Sequence, residues 1–192
     1  MNHSFTPAIG SRKMKIATLA LSALMIFGTA AAQPPSASDA PFNEAANVFQ
    51  RAAAGEKKDV EPAIAAFEAL ARAEPRNPVY AAYLGSALSL KGRDAWMPWN
   101  KLKYTEQGLD HIDRALDALK PEHDKLLLRG VPASIETRLV AARTFIKLPD
   151  GIFHRRAAGK KLIADLSRHP ALAPSPAPLR AAVPLAAEEA GQ

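Results

Sequence analysis

The chain has 192 residues, 48% of them hydrophobic, with 25 Lys and Arg against 19 Asp and Glu and no cysteine. This length suits one domain, and the absence of thiols excludes disulfides, a cysteine-linked lipid anchor and a catalytic thiolate. The formal charge of +6 overstates the basicity of the remainder: residues 1–32 hold three of the cations and none of the acids, leaving 22 against 19, or +3, too little to argue for nucleic acid as a partner.

Residues 1–32 have the make-up of a signal peptide. Arg12, Lys13 and Lys15 form a positive start, Ile16 to Phe27 an apolar core broken by Gly28, and Ala30-Ala31-Ala32 a small-residue cleavage pattern. The expectation is cleavage near Ala32-Gln33 and an exported protein, periplasmic or secreted. The apolar run falls short of the ~20 residues that cross a bilayer, so an uncleaved N-terminal anchor is the lesser expectation. Met14 offers a second start within the same segment. Residues 33–41 (QPPSASDAP) read as a linker by composition.

Residues 42–170 carry helical periodicity throughout, with no sustained alternation that would argue for a sheet. A first helix is expected from Phe42 to Ala54, with Phe42, Ala45 and Phe49 on one stripe and Gly55 after it. Asp59 then offers an N-cap for a second helix with Ala63, Ile64, Phe67 and Leu70 inward. Asn77-Pro78 opens a third, carrying Val79, Tyr80, Tyr83, Leu84 and Ala87 up to Gly92. A fourth spans about Asn100 to Leu119, with Leu102, Leu109, Ile112 and Leu116 inward. After Pro121, Lys125 to Arg129 reads as one helical turn or two. Another helix is expected over Ser134 to Ile146, a turn at Leu148-Pro149-Asp150-Gly151, and a last helix from Phe153 to Ser167 with Gly159, Leu162, Ile163 and Leu166 on one face. These make three antiparallel hairpins. Residues 171–192, rich in Ala and holding Pro174, Pro176, Pro178 and Pro184, read as an extended, disordered tail.

No catalytic constellation emerges. Leu84-Gly85-Ser86-Ala87-Leu88 lacks the second glycine of a nucleophile elbow, and no phosphate-binding glycine loop or His-Glu-x-x-His is present. His111, His123, His154 and His169 stand singly, so no metal site and no cofactor are expected. Asp110, Asp113 and Asp117 recur at helical spacing with Arg114 four after Asp110, the pattern of a solvated charged face. Glu122-His123-Asp124 after Pro121 reads as a helix start.

Two features invite a functional reading. Residues 92–102 (GRDAWMPWNKL) hold both tryptophans, Trp96 and Trp99, beside Arg93 and Lys101. Such a segment suits an aromatic anchor for a partner, and it equally suits a plug at the open end of its hairpin. Arg155, Arg156, Lys160 and Lys161 give the last helix a basic outer face. It is either a contact for an anionic lipid or polymer or a solvated face capping the stack.

One skeleton occurs three times: a small residue, a large apolar one four later, and proline eight or nine beyond. The copies are Ala63-Phe67-Pro75, Gly108-Ile112-Pro121 and Ala158-Leu162-Pro170, and Leu84-Gly85 follows Pro75 at the distance a 34-residue period requires. On these residues the chain resembles a divergent tetratricopeptide repeat protein. Ala81 and Leu88 stand where that family has Trp and Tyr, and the large apolar residues lie 45 and 50 apart, implying insertions of about 11 and 16 residues. The resemblance implies an all-α fold of six to seven helices, stacked as three hairpins in an α-solenoid with short insertions. Its concave side would receive a protein or peptide partner of the cell envelope through Tyr80, Tyr83, Trp96, Trp99 and Lys101. It implies no cofactor and no catalysis; the second expectation is a peripheral module whose basic last helix makes weak contact with an anionic membrane surface.

Overall fold

The computed structural model describes Met1 and residues 39–191; the rest of the expected signal peptide, the linker up to residue 38 and Gln192 lie outside the described residues. Residues 39–191 fall in one unit and are all-α. Its helices are α1 (Ala40–Ala53), α2 (Val60–Ala73), α3 (Pro78–Asp94), α4 (Pro98–Asp117), α5 (Ala133–Lys147), the single turn α6 (Asp150–Phe153), α7 (Arg156–Ser167) and α8 (Ala177–Gly191). Two-residue strands β1 (Leu127–Leu128) and β2 (Val131–Pro132) pair antiparallel between α4 and α5.

Local chemistry sets most boundaries. Gly55, at φ +115°, ends α1 where a side chain would be strained. Asn77 caps α3, its Oδ1 accepting from the Val79 amide at 3.2 Å, and Pro78 and Pro98 occupy first turns, where proline costs no hydrogen bond. Asp59 makes no side-chain capping bond; its carboxylate instead takes Arg51 Nε at 2.6 Å, tying α1 to the start of α2. That guanidinium holds the Asp59 carboxyl below the usual carboxylate range.

The helices pack as consecutive pairs, α1 with α2, α3 with α4 and α5 with α7. Beyond its own partner α3 meets α1 and α2, α5 meets α3 and α4, and α8 meets α5 and α7. The α3–α4 crossing is set by glycine. A Cβ on Gly85 would strike the Gly108 carbonyl oxygen and one on Gly108 the Gly85 carbonyl oxygen, while one on Gly92 would strike Thr105. This is why α3 runs through Gly92 to Asp94 rather than stopping there: the glycine serves the crossing, not a cap.

Aromatic rings fill the first core. Phe67 stacks on Tyr83 with centroids 4.7 Å apart, and Phe42 and Phe49 meet Tyr83 edge-on at 5.6 and 5.1 Å. A second core joins Ile135, Leu139 and Ile146 of α5 to Ile163 and Leu166 of α7 and to Leu179, Val183, Ala186 and Ala190 of α8. In the third skeleton copy the register is one residue later than the sequence suggests. Gly159 meets Ile146 at the α5–α7 crossing and Ile163 is buried, whereas Ala158 and Leu162 are half-buried.

Three expectations are corrected. The tail is helical from Ala177 on, since Leu179, Val183, Ala186 and Ala190 form a stripe that the second core covers; Pro178 falls in the first turn and Pro184 is exposed. Ala40 and Pro41 of the expected linker form the start of α1. Lys125 to Arg129 is not helical: the chain makes a 3-10 turn over Pro121–Asp124 and then the β hairpin, whose corner residues Arg129 and Gly130 both take positive φ, 55° and 75°.

Candidate binding groove

A trough of about 1170 Å³ runs across the first helix of each pair. Its walls come from the end of α1 (Phe49, Ala53), from α3 (Tyr83, Ser86, Leu90), from α5 (Glu136, Val140, Thr144) and from α8 (Leu179, Ala182). The start of α4 adds Lys101 and Leu102, and the α5–α7 connection adds Leu148, Ile152 and Phe153. The volume exceeds the few hundred to about 1,000 Å³ usual for a small-molecule pocket.

Charge in the groove is one-sided. Arg93, Lys101, Arg129, Arg143 and Lys147 line it, and Glu136 is the one carboxylate among the described lining residues. Glu136 is buried and already held: Tyr83 Oη donates to its Oε1 at 2.5 Å and Arg129 Nη2 donates to the same oxygen at 3.0 Å. Burial first, and the Glu136 carboxylate second, push the Tyr83 phenol well above its ordinary value. Arg129 also lies 4.7 Å over the Phe42 ring, and its buried Nε has no hydrogen-bond partner among the described residues. At the rim, Arg143 reaches Glu189 at 3.4 Å, and Lys147 is exposed with no ion pair among the described residues. The floor carries one further polar bridge, Ser86 Oγ to Thr144 Oγ1 at 2.8 Å, which locks α3 to α5.

The sequence-named residues divide between core, groove and surface. Tyr80 and Tyr83 are core side chains, 3% and 6% exposed, so neither is a free contact; Tyr83 touches the groove only as part of its floor. Lys101 is on the groove wall, its Nζ on the Arg93 carbonyl oxygen at 3.0 Å. Trp96 and Trp99 are neither plug nor groove wall: they stand outside at 90% and 62% exposure.

The basic face of α7 is partly spent inside the fold. Arg155 makes two bonds to Asp113, at 2.7 and 3.1 Å, and lies over Phe145; Lys161 pairs with Asp165 at 2.8 Å. Arg156 and Lys160 make no ion pair among the described residues. His123 accepts the Lys120 amide on Nδ1 at 2.9 Å, and burial lowers the His111 pKa. Among the described residues no three His, Asp or Glu side chains converge as a metal site, and no helix is long and apolar enough to cross a membrane.

Arg129, Arg143 and Lys147 are the groove residues that sequence reasoning missed. Arg129-Gly130 ahead of Val131-Pro132 is a turn signal that marks the corner, but nothing local places its guanidinium against Phe42 and Glu136. With the fold and groove in place, comparison with known proteins adds nothing: no protein-family model, no curated protein and no solved structure matches the chain significantly.

Proposed function

We propose that this chain is a non-catalytic adaptor that holds an extended segment of a partner protein in the groove. The segment carries large apolar side chains for Phe49, Leu90, Val140 and Phe153 and acidic groups for the cationic rim. The single observation behind this reading is the groove itself: continuous over α1, α3, α5 and α8, mostly apolar in its lining, and bordered by five cations of which Lys101 and Lys147 make no ion pair among the described residues. In the same reading the helix pairs are a tetratricopeptide-like stack. Its support is that α3 and α5 each pack on both helices of the preceding pair, with α8 closing the end. Export after cleavage near Gln33 would place both adaptor and partner in the cell envelope.

An unbiased displayed-peptide library tests the groove without presuming the partner. Selected peptides should combine Asp or Glu with large apolar residues, and Arg143→Glu with Lys147→Glu should abolish their enrichment while leaving the thermal transition in place. Peptides without acidic bias, or enrichment indifferent to both substitutions, would remove the reading.

A further inference from the structure

Trp96 and Trp99 need an account of their own. They lie on the α3–α4 turn, outside the groove wall, and they are the most exposed large apolar side chains of residues 39–191 together with Ile152. The turn that shows them is firmly built. Arg93 donates to the Ala52 and Ala53 carbonyl oxygens at 3.1 and 3.4 Å, and it pairs with Asp94 at 2.7 Å. The Met97 carbonyl accepts from the Asn100 and Lys101 amides at 3.0 Å, and Pro98 fixes the first turn of α4. Slack therefore does not explain why two indoles remain in water at a cost in hydrophobic free energy.

The same bonds join this turn to the one after α1. Lys57 and Trp96 line one hollow of about 280 Å³ with Met97 and Tyr104. Around it the acids are already engaged: Asp94 by Arg93, Glu61 by Lys91 at 2.7 Å and Asp59 by Arg51 at 2.6 Å. Lys57 and Lys58 of the first turn, and Lys103 one helical turn after Trp99, make no ion pair among the described residues, and neither do Glu56 and Glu106, one residue from Lys57 and three from Lys103.

We infer that these two turns are a contact for an anionic lipid surface, with Trp96 and Trp99 entering the headgroup layer and Lys57, Lys58 and Lys103 meeting its phosphates. Indole, apolar in body with one N–H to satisfy, favours that layer, and ammonium groups on long stems favour its negative potential. The shape favours lipid over a protein partner. The rings stand out into solvent, Trp96 sharing its hollow with Lys57 and Trp99 lying one helical turn before Lys103, so a fluid layer closes around them where a rigid surface leaves gaps.

The chain holds two tryptophans, both at this site, so its intrinsic fluorescence reports the contact directly. On phosphatidylcholine vesicles containing phosphatidylglycerol, emission of the full chain should shift to the blue and resist acrylamide. Vesicles of phosphatidylcholine alone should produce neither change. Trp96→Phe and Trp99→Phe, each leaving one reporter, should both retain the shift. Lys57→Gln, Lys58→Gln and Lys103→Gln together should raise the lipid concentration needed for half the blue shift by about tenfold or more, as should raised salt, with the thermal transition of the variant unchanged. The readout is indole emission rather than sedimentation, because an apolar run such as residues 16–27 can carry a chain down with vesicles without any contact at the turns. A chain that sediments with unshifted, fully quenchable indoles overturns the inference. So does emission that shifts with polyglutamate and not with vesicles, which would make the site an acidic-protein contact.

Discussion

Arg129 is the residue on which groove and fold meet. Its backbone takes a left-handed φ at the β1–β2 corner, its guanidinium covers Phe42, and it supplies the opposite charge to Glu136, to which Tyr83 also donates and whose side chain is 6% exposed. Removing one partner of a buried ion pair costs more than the pair itself contributes, because the survivor keeps its desolvation penalty. Arg129→Met should therefore destabilise the chain by about 3 kcal/mol in urea denaturation. Adding Glu136→Gln should recover much of that loss, since the amide still accepts from Tyr83; additive losses would mean that the two side chains are not coupled. None of this is legible locally. Tyr83 and Glu136 are 53 positions apart, and an exposed-looking Tyr on a helix reads as a contact until the ring of Phe67 is found stacked on it.

Helices were the legible part of the sequence, and crossings were not. Periodicity places α1 to α5 and α7 to within a few residues, because each buries an apolar stripe that composition displays. Gly92 was expected to end a helix and instead lets α4 approach, a role that depends on a neighbour the sequence does not show. The α3–α4 crossing gives a sharp test: Gly108→Ala should cost about 1–3 kcal/mol, because the obstructing atom is a backbone carbonyl that cannot swing away. Gly151→Ala, with nothing within 4 Å of the added methyl, should be neutral or slightly stabilising.

Helix α8 is the element that the sequence hid. Closely spaced prolines dominate its composition, yet the apolar residues at Leu179, Val183, Ala186 and Ala190 recur at helical spacing, and that spacing was the signal to read. Val183 is 1% exposed and Leu185 is 56% exposed. Val183→Asp should lower stability by about 2 kcal/mol or more, and Leu185→Asp by no more than about 0.5 kcal/mol. Equal and negligible effects would return the tail to the disordered state first expected.

At the scale of residues 39–191, the first helix of each pair faces the groove, the start of α4 joins its wall, and α8 continues it past the last pair. The sequence leads one to expect a repeat-like scaffold and points to Trp96 and Trp99 for its function, because a segment that interrupts an expected period stands out. The groove does not stand out, being assembled from single residues on four helices and a hairpin corner. The most direct test is site-specific photocrosslinking in the native cell, with the reactive side chain placed at Val140 on the groove floor or at Leu185 on the outer face of α8. The account predicts that Val140 yields one discrete adduct, a segment combining acidic and large apolar residues, which Arg143→Glu with Lys147→Glu abolishes and which Leu185 does not form. Adducts from Leu185 but none from Val140, or the same adducts from both, would contradict it.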